Sequence, residues 1–231
     1  MTTTSAPFDP RVPLMLLLSV ATGLVDAISV LGLGKVFTAD MTGNIVFLGF
    51  ASAGVPDFEA APYIVAITAF LFGALVAGRV GKAQAGRPLR HWLMKAALLE
   101  AGLLWVAAAV AVEFDIATQS QEPRLYAIIG LTAVTMGFRN ATIRQLKIPD
   151  LTTTVLTLTL TGLAADSHFA GGSNPNWVHR VAAVVAIFVG ALIGAVLVLR
   201  WGLTLPLVLA GALVLAGTIA CALHPASAQP A

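Results

Sequence analysis

Residues 37–54 read FTADMTGNIVFLGFASAG: an apolar stretch that opens on Thr38, Asp40, Thr42 and Asn44. Its helical part, about 41–55, would rise roughly 22 Å at about 1.5 Å per residue. That is short of the roughly 30 Å of hydrocarbon in a bilayer. The segment is therefore short for a membrane crossing and too apolar to rest in water. It belongs in a protein whose other helices make a membrane-embedded frame around it.

Composition supplies that frame. Hydrophobic residues make up 58% of the 231 and charged residues 10%, whereas a soluble domain is typically about 25% charged. Six runs are long enough to span, at about 13–34, 60–79, 92–112, 124–139, 178–200 and 202–223. A second short polar run, about 151–165, matches the first in character. The fold class expected is an all-α polytopic membrane protein with six long transmembrane helices and two short re-entrant or half helices. The first 27 residues imitate a signal peptide, with Arg11 ahead of an apolar run. The run continues past Asp26 to Gly34, the length of a span, so we read it as the first membrane helix.

The two short runs prompt a search for duplication. GLVDA (23–27), MTGN (41–44), GAL (73–75) and EAG (100–102) are followed in the same order by GFRNA (137–141), VLTLT (155–159), GAL (190–192) and LAG (209–211). Asp26 then corresponds to Asn140 and Thr42 to Thr157, 16 and 17 residues apart within their halves. We divide the chain into a tail (1–12), a first membrane repeat (13–112), an external connection (113–123), a second repeat (124–223) and a C-terminal tail (224–231). Arg79, Lys82, Arg87 and Arg90 mark one cytoplasmic connection, and Arg139, Arg144 and Lys147 another. EFDIATQSQEP (113–123) has no basic residue and is placed outside. Two topologies fit. Dipping short segments give six spans with inverted halves, and crossing ones give eight spans with parallel halves.

The stretches GLVDA…VFTADMTGN and GFRNATIRQL…TTTVLTLTLTG resemble the bacterial YoaK-type integral membrane family, over about residues 14–222. The most specific parts are Asp26-Ala27, Met41-Thr42-Gly43-Asn44, and Asn140-Ala141 with the threonine run after it. That family commonly repeats a Thr-Gly step in its second half, where this chain has Thr157-Leu158. The resemblance implies a compact multi-span protein of the inner membrane and a transport role, and supplies no substrate.

The polar residues at membrane depth are the candidate site. Asp26 lies about two-thirds of the way along its run and Glu100 near the middle of another, where a charged carboxylate costs at least about 2.5 kcal/mol. Intramembrane acids mark ion or substrate paths, and a structural hydrogen bond is the competing role. Lys95 is a conceivable partner for Glu100. Arg139 is read as the cytoplasmic anchor of its span, with carboxylate or anion pairing as the alternative. Thr42, Gly43 and Asn44 would open a short helix inside the protein, with side-chain oxygens as caps and its N-terminal N–H groups free. Thr154, Thr157 and Thr161 share one face of the second short helix. Broken helices of this kind meet solutes at repeat interfaces in transporters, although threonine and glycine equally serve close packing.

The expected function is a secondary transporter or permease for a small solute, proton- or cation-coupled, with its site between the repeats. The alternative is a membrane scaffold or assembly protein. No catalytic residue, metal site or cofactor is expected: the four histidines lie in connections or at segment ends, none spaced as zinc ligands, and there is a single cysteine. A lipid-acting enzyme would need an acid–base pair near the headgroups, whereas both acids are deep. The partners expected are the lipid bilayer and a small solute or ion, with further copies of the chain left open. No basic stripe with interleaved aromatics points to nucleic acid.

Overall fold

The structure of the chain, a computed structural model, describes residues 11–84, 88–119, 121–146, 156–174 and 176–224. Thr154, Arg87, Lys147, most of both tails and the start of the second short segment lie outside the described residues. All regular structure among the described residues is helical: α1 (Arg11–Gly32), α2 (Met41–Ser52), α3 (Ala60–Ala83), α4 (Leu89–Val110), α5 (Glu122–Leu146), α6 (Leu156–Ala165), a 3₁₀ turn (His168–Ala170), α7 (Trp177–Trp201) and α8 (Thr204–Leu223).

Five of these, α1, α3, α4, α7 and α8, are long and apolar enough to cross a membrane. The chain is a multi-pass membrane protein. Large apolar side chains such as Leu71, Phe72, Phe188, Leu192 and Leu199 are exposed along α3 and α7, as contact with lipid requires. α5 has the length of a span, but Arg139 and Asn140 interrupt its apolar run. The sequence ended this segment at 139, whereas the helix runs about two turns further. Arg139 is therefore no terminal anchor: it is fully buried inside the bundle.

Glycines set the closest helix approaches. Gly23 of α1 lies against the backbone of Ile187 in α7, and Gly190 of α7 lies against the Val20 carbonyl. Gly73 of α3 meets the Val134 carbonyl of α5, and Gly137 meets that of Phe70. A methyl group at any of these positions would collide with main chain, so small residues let the axes approach as membrane helices often do. α1 packs most extensively on α7, and α3 on α5, followed by α4 on α8.

The contacts also give direction. Val20 adjoins Gly190, while Leu24 and Ala27 adjoin Gly194, so α1 and α7 run parallel. α3 and α5 run parallel as well, with Phe70 beside Gly137 and the Ala77 carbonyl accepting from Gln145 Nε2 at 3.3 Å. α8 opposes α1, since Leu14 and Leu17 touch Gly217 whereas Gly32 touches Leu203. α4 opposes α8: Trp105 Nε1 donates to the Val208 carbonyl at 3.2 Å, and Leu93 and Ala97 lie with Val214 and Thr218. α5 opposes α4, as Arg124 at the start of α5 donates to the Val112 carbonyl just beyond α4 at 3.0 Å, while Arg139 further along α5 pairs with Glu100 in the middle of α4. The six long helices thus alternate in direction along the chain.

Candidate functional site

α4 and α5 bring an ion pair to the centre of the bundle. Arg139 Nε donates to Glu100 Oε2 at 2.8 Å, with side-chain exposures of 1% and 5%. Arg139 Nη1 also points at Thr22 Oγ1 on α1, at a long 3.5 Å. The Thr22 hydroxyl donates in turn to the Leu18 carbonyl at 2.9 Å. Arg139 Nη2 is buried with no hydrogen-bond partner. Removing either member of such a pair leaves an uncompensated buried charge, at a cost of about 3–5 kcal/mol.

Asp26 sits one helical turn beyond Thr22 on α1, and its Oδ1 is buried without a hydrogen-bond partner. Arg139 and Asp40 lie within electrostatic reach of it. The arginine's hydrogen bonds go to Glu100 and Thr22 instead. Two carboxyl groups thus lie near one guanidinium: Glu100 and Arg139 are buried, and Asp26 is partly buried with its Oδ1 enclosed. A cavity of about 20 Å³ adjoins the ion pair but not Asp26, lined by Glu100, Arg139, Thr142 and Thr218 among apolar side chains. That is room for about one water molecule. Among the described residues no three His, Cys, Asp or Glu side chains form a metal-binding group.

The remaining residues singled out from the sequence fall elsewhere. The cap of α2 is Asp40, whose side chain accepts from the Thr42 N–H at 3.1 Å; the cap role expected of Thr42 and Asn44 belongs to it. Thr42 is exposed, and Gly43 lies against the Phe37 ring. Asn44 is fully buried and structural: Oδ1 accepts from the Phe37 N–H at 2.9 Å, and Nδ2 donates to the Phe37 carbonyl. This single side chain closes the loop between α1 and α2 and leaves no polar edge for a solute. Asn140 Nδ2 donates to the Met136 carbonyl of its own helix at 2.9 Å. On α6, Thr157 and Thr161 are exposed and Thr159 is the buried threonine. Lys95 is exposed and is not the partner of Glu100.

Among the described residues α2 and α6 do not pack on one another. α2 packs on α3 through Phe47, Phe58 and Tyr63, and α6 packs on α7. α2 follows the end of α1 and α6 follows the end of α5, and those helices run in opposite senses, so α2 and α6 lie at opposite ends of the bundle. Glu100, Arg139 and Asp26 are brought together; Thr42, Gly43, Asn44, Thr157 and Thr161 do not join them.

Two participants escaped the sequence reading. Thr22 could have been found as the residue four before Asp26, on the same helix face. Arg180, buried on α7, bonds Asp166 at 2.7 Å and lies against Gly162 of α6. It tethers the short helix, and no local pattern announced it.

Residues 14–220 match the family described as "Protein of unknown function (DUF1275)". The chain is also similar to the UPF0700 transmembrane protein YoaK of Bacillus subtilis (strain 168), 35% identical over 157 residues, which cover 68% of this chain and 67% of the relative. No solved structure matches.

Proposed function

We infer that this chain, which belongs to the DUF1275 family, is a secondary permease of the cell (inner) membrane. It moves a small solute coupled to a proton or cation and is built from two inverted halves, α1–α4 and α5–α8. The single observation that carries the functional reading is the core of Glu100, Arg139 and Asp26. It is an ion pair beside an acid whose buried oxygen has no partner, at a depth where ionisable groups are expensive and commonly mark ion paths.

The pairing of helices supports the two halves. α1 lies on α7 as α5 lies on α3, and α1 contacts α8 as α5 contacts α4. The glycine contacts correspond residue for residue. Val20 against Gly190 is the counterpart of Val134 against Gly73, and Gly23 against Ile187 that of Gly137 against Phe70. Corresponding helices run in opposite directions, which favours inverted halves with α2 and α6 dipping from opposite faces. Arg79, Lys82, Arg90 and Arg144 gather at one end of the bundle, and the excess of basic residues in short loops makes that end cytoplasmic. The charges themselves are not duplicated, since Leu209, Val25 and Asn140 stand at the counterparts of Glu100, Arg139 and Asp26. A near-symmetric frame around one asymmetric charged core suits alternating access about a fixed site.

Proteoliposomes carrying a trapped pH-sensitive dye test the reading. A panel of sugars, amino acids, organic acids and inorganic ions is added outside, with and without an imposed proton gradient. At least one solute should move protons faster than in protein-free vesicles, and Asp26→Asn should abolish the effect. A flat response across the panel, or an undiminished response in that variant, argues against a permease.

One observation favours a second reading, a non-transporting membrane scaffold. The centre is nearly filled, with a cavity of about 20 Å³, and the short helices do not converge on it. In a scaffold the core only locks α4, α5 and α1 together, and Asp26→Asn alters melting in detergent without any effect in vesicles.

A further inference from the structure

We propose that Asp26 is the seat of one exchangeable positive charge, taken up either as a proton or as a small monovalent cation, while Glu100 is a fixed counter-charge to Arg139. This deepens the permease reading and rests on it for its purpose. Its evidence is the division of partners within the core.

Glu100 and Arg139 are paired through one contact, with Arg139 Nη2 left without a partner. Oε2 accepts the Nε hydrogen at 2.8 Å with both groups buried. Protonating Glu100 would strand a guanidinium inside the bundle, with the cost of a broken buried pair. Asp26 has the reverse problem. Its Oδ1 is buried and accepts no hydrogen bond, and the one guanidinium within reach already spends its charge on Glu100. Ionised, the three groups sum to minus one; with Asp26 carrying a proton or a cation, they sum to zero.

The surroundings point the same way. The charged groups that face Asp26 are Arg139, from α5, and Asp40, the cap of α2. Where α7 packs on Val20, Gly23, Leu24 and Ala27 of α1 it presents Ile187, Gly190, Ala191 and Gly194, none of which titrates. Asp40, exposed at the cap of α2, lies within electrostatic reach of Asp26, and a carboxylate there draws cations and repels anions. An anion entering this core would deepen an uncancelled negative charge in low dielectric. A cation or a proton would cancel it. Oδ1 is closed to solvent, so a bulky cation has no access to it; the cavity of about 20 Å³ lies against Glu100 and Arg139 and is not lined by Asp26.

The chemistry is a simple exchange. A proton leaves the Asp26 carboxyl as a cation arrives at the same carboxylate, with no change of oxidation state. Both ligands use one group, so they compete, and competition at a shared site is the basis for counter-transport.

Infrared titration of the purified full chain tests this without any transported solute. The carbonyl stretch of a protonated carboxyl is followed above about pH 5.5, where exposed acids with ordinary values near 4 are already ionised. The wild type should show one protonated carboxyl that disappears as pH rises, and Asp26→Asn should lack it. Sodium, potassium or ammonium chloride, but not the chloride of bulky N-methylglucamine, should shift its midpoint to lower pH. A band that survives in Asp26→Asn, no band at all, or a midpoint indifferent to every small cation would overturn the proposal. Should Asp26→Asn fail to fold, Asp26→Glu should retain the band with a displaced midpoint, and an unmoved midpoint counts against Asp26. An intact, cation-sensitive band in a protein that moves no solute would refute the permease reading alone.

Discussion

Arg139 Nε and Glu100 Oε2 are 2.8 Å apart, and this contact joins α5 to α4 at the centre of the bundle across 39 positions of sequence. Its energy lies less in forming than in being broken, because either member left alone is a buried charge.

Glu100→Ala should therefore destabilise the fold by about 3–5 kcal/mol. Arg139→Met in the same chain should recover much of that loss, because the stranded charge is gone. Unfolding of the two single variants and the double in mixed detergent gives the coupling. Additive losses would mean that the two side chains do not depend on one another.

Gly190→Ala and Gly73→Ala place a methyl group against the main chain of Val20 and Val134 respectively. Each should cost about 1–3 kcal/mol, typical of overpacking, and the two losses should be similar because the contacts correspond. Melting in detergent measures both. A harmless substitution at one site and a severe one at the other would break the correspondence between halves.

Single cysteines at the exposed positions Asp57 and Phe169, in a Cys221→Ala background, report on sidedness. Asp57 lies beyond α2 and Phe169 beyond α6. A membrane-impermeant thiol reagent applied to right-side-out vesicles should label Asp57→Cys and spare Phe169→Cys until the membrane is opened. Labelling of both from one face would support parallel halves with crossing short segments.

The exposed connection between α4 and α5 offers a pH test. The Thr118 hydroxyl and then the Ala117 N–H hold the Asp115 carboxyl below its ordinary value. A lowered folded value means that the contact's contribution is complete above the unfolded value of about 3.9 and is lost as pH falls through the folded one. Asp115→Asn should melt slightly below the wild type at pH 7, with the gap closing toward pH 3. A gap that widens on acidification would reverse the sign.

Asn44 shows where reading a polar motif from sequence goes astray. MTGN looks like the lining of a pocket, yet its asparagine is consumed by the Phe37 backbone. The threonine face of α6 is likewise exposed, with Thr159 turned inward. A stripe at helical spacing has the same period whether it faces lipid headgroups, protein or a cavity, so the pattern establishes a face and not its destination. Glu100 and Asp26 were legible as candidates because depth in an apolar run is itself a local quantity. The partner of Glu100 was not legible: Lys95, nearer in sequence, points outward, and Arg139 lies on another helix.

Helical class, membrane residence, the long and short segments and the depth of the acids were all written in the chain itself. Each depends on how a short window of residues exchanges water for hydrocarbon, which needs no knowledge of distant segments. The tertiary structure alone decided that Arg139 is buried against Glu100, that Asp26 is left over, and that the short helices stand at opposite ends. Those outcomes depend on the rotation and offset of helices far apart in sequence. They are set where glycines such as Gly23, Gly73, Gly137 and Gly190 let main chains touch, and such contacts exist only between packed helices.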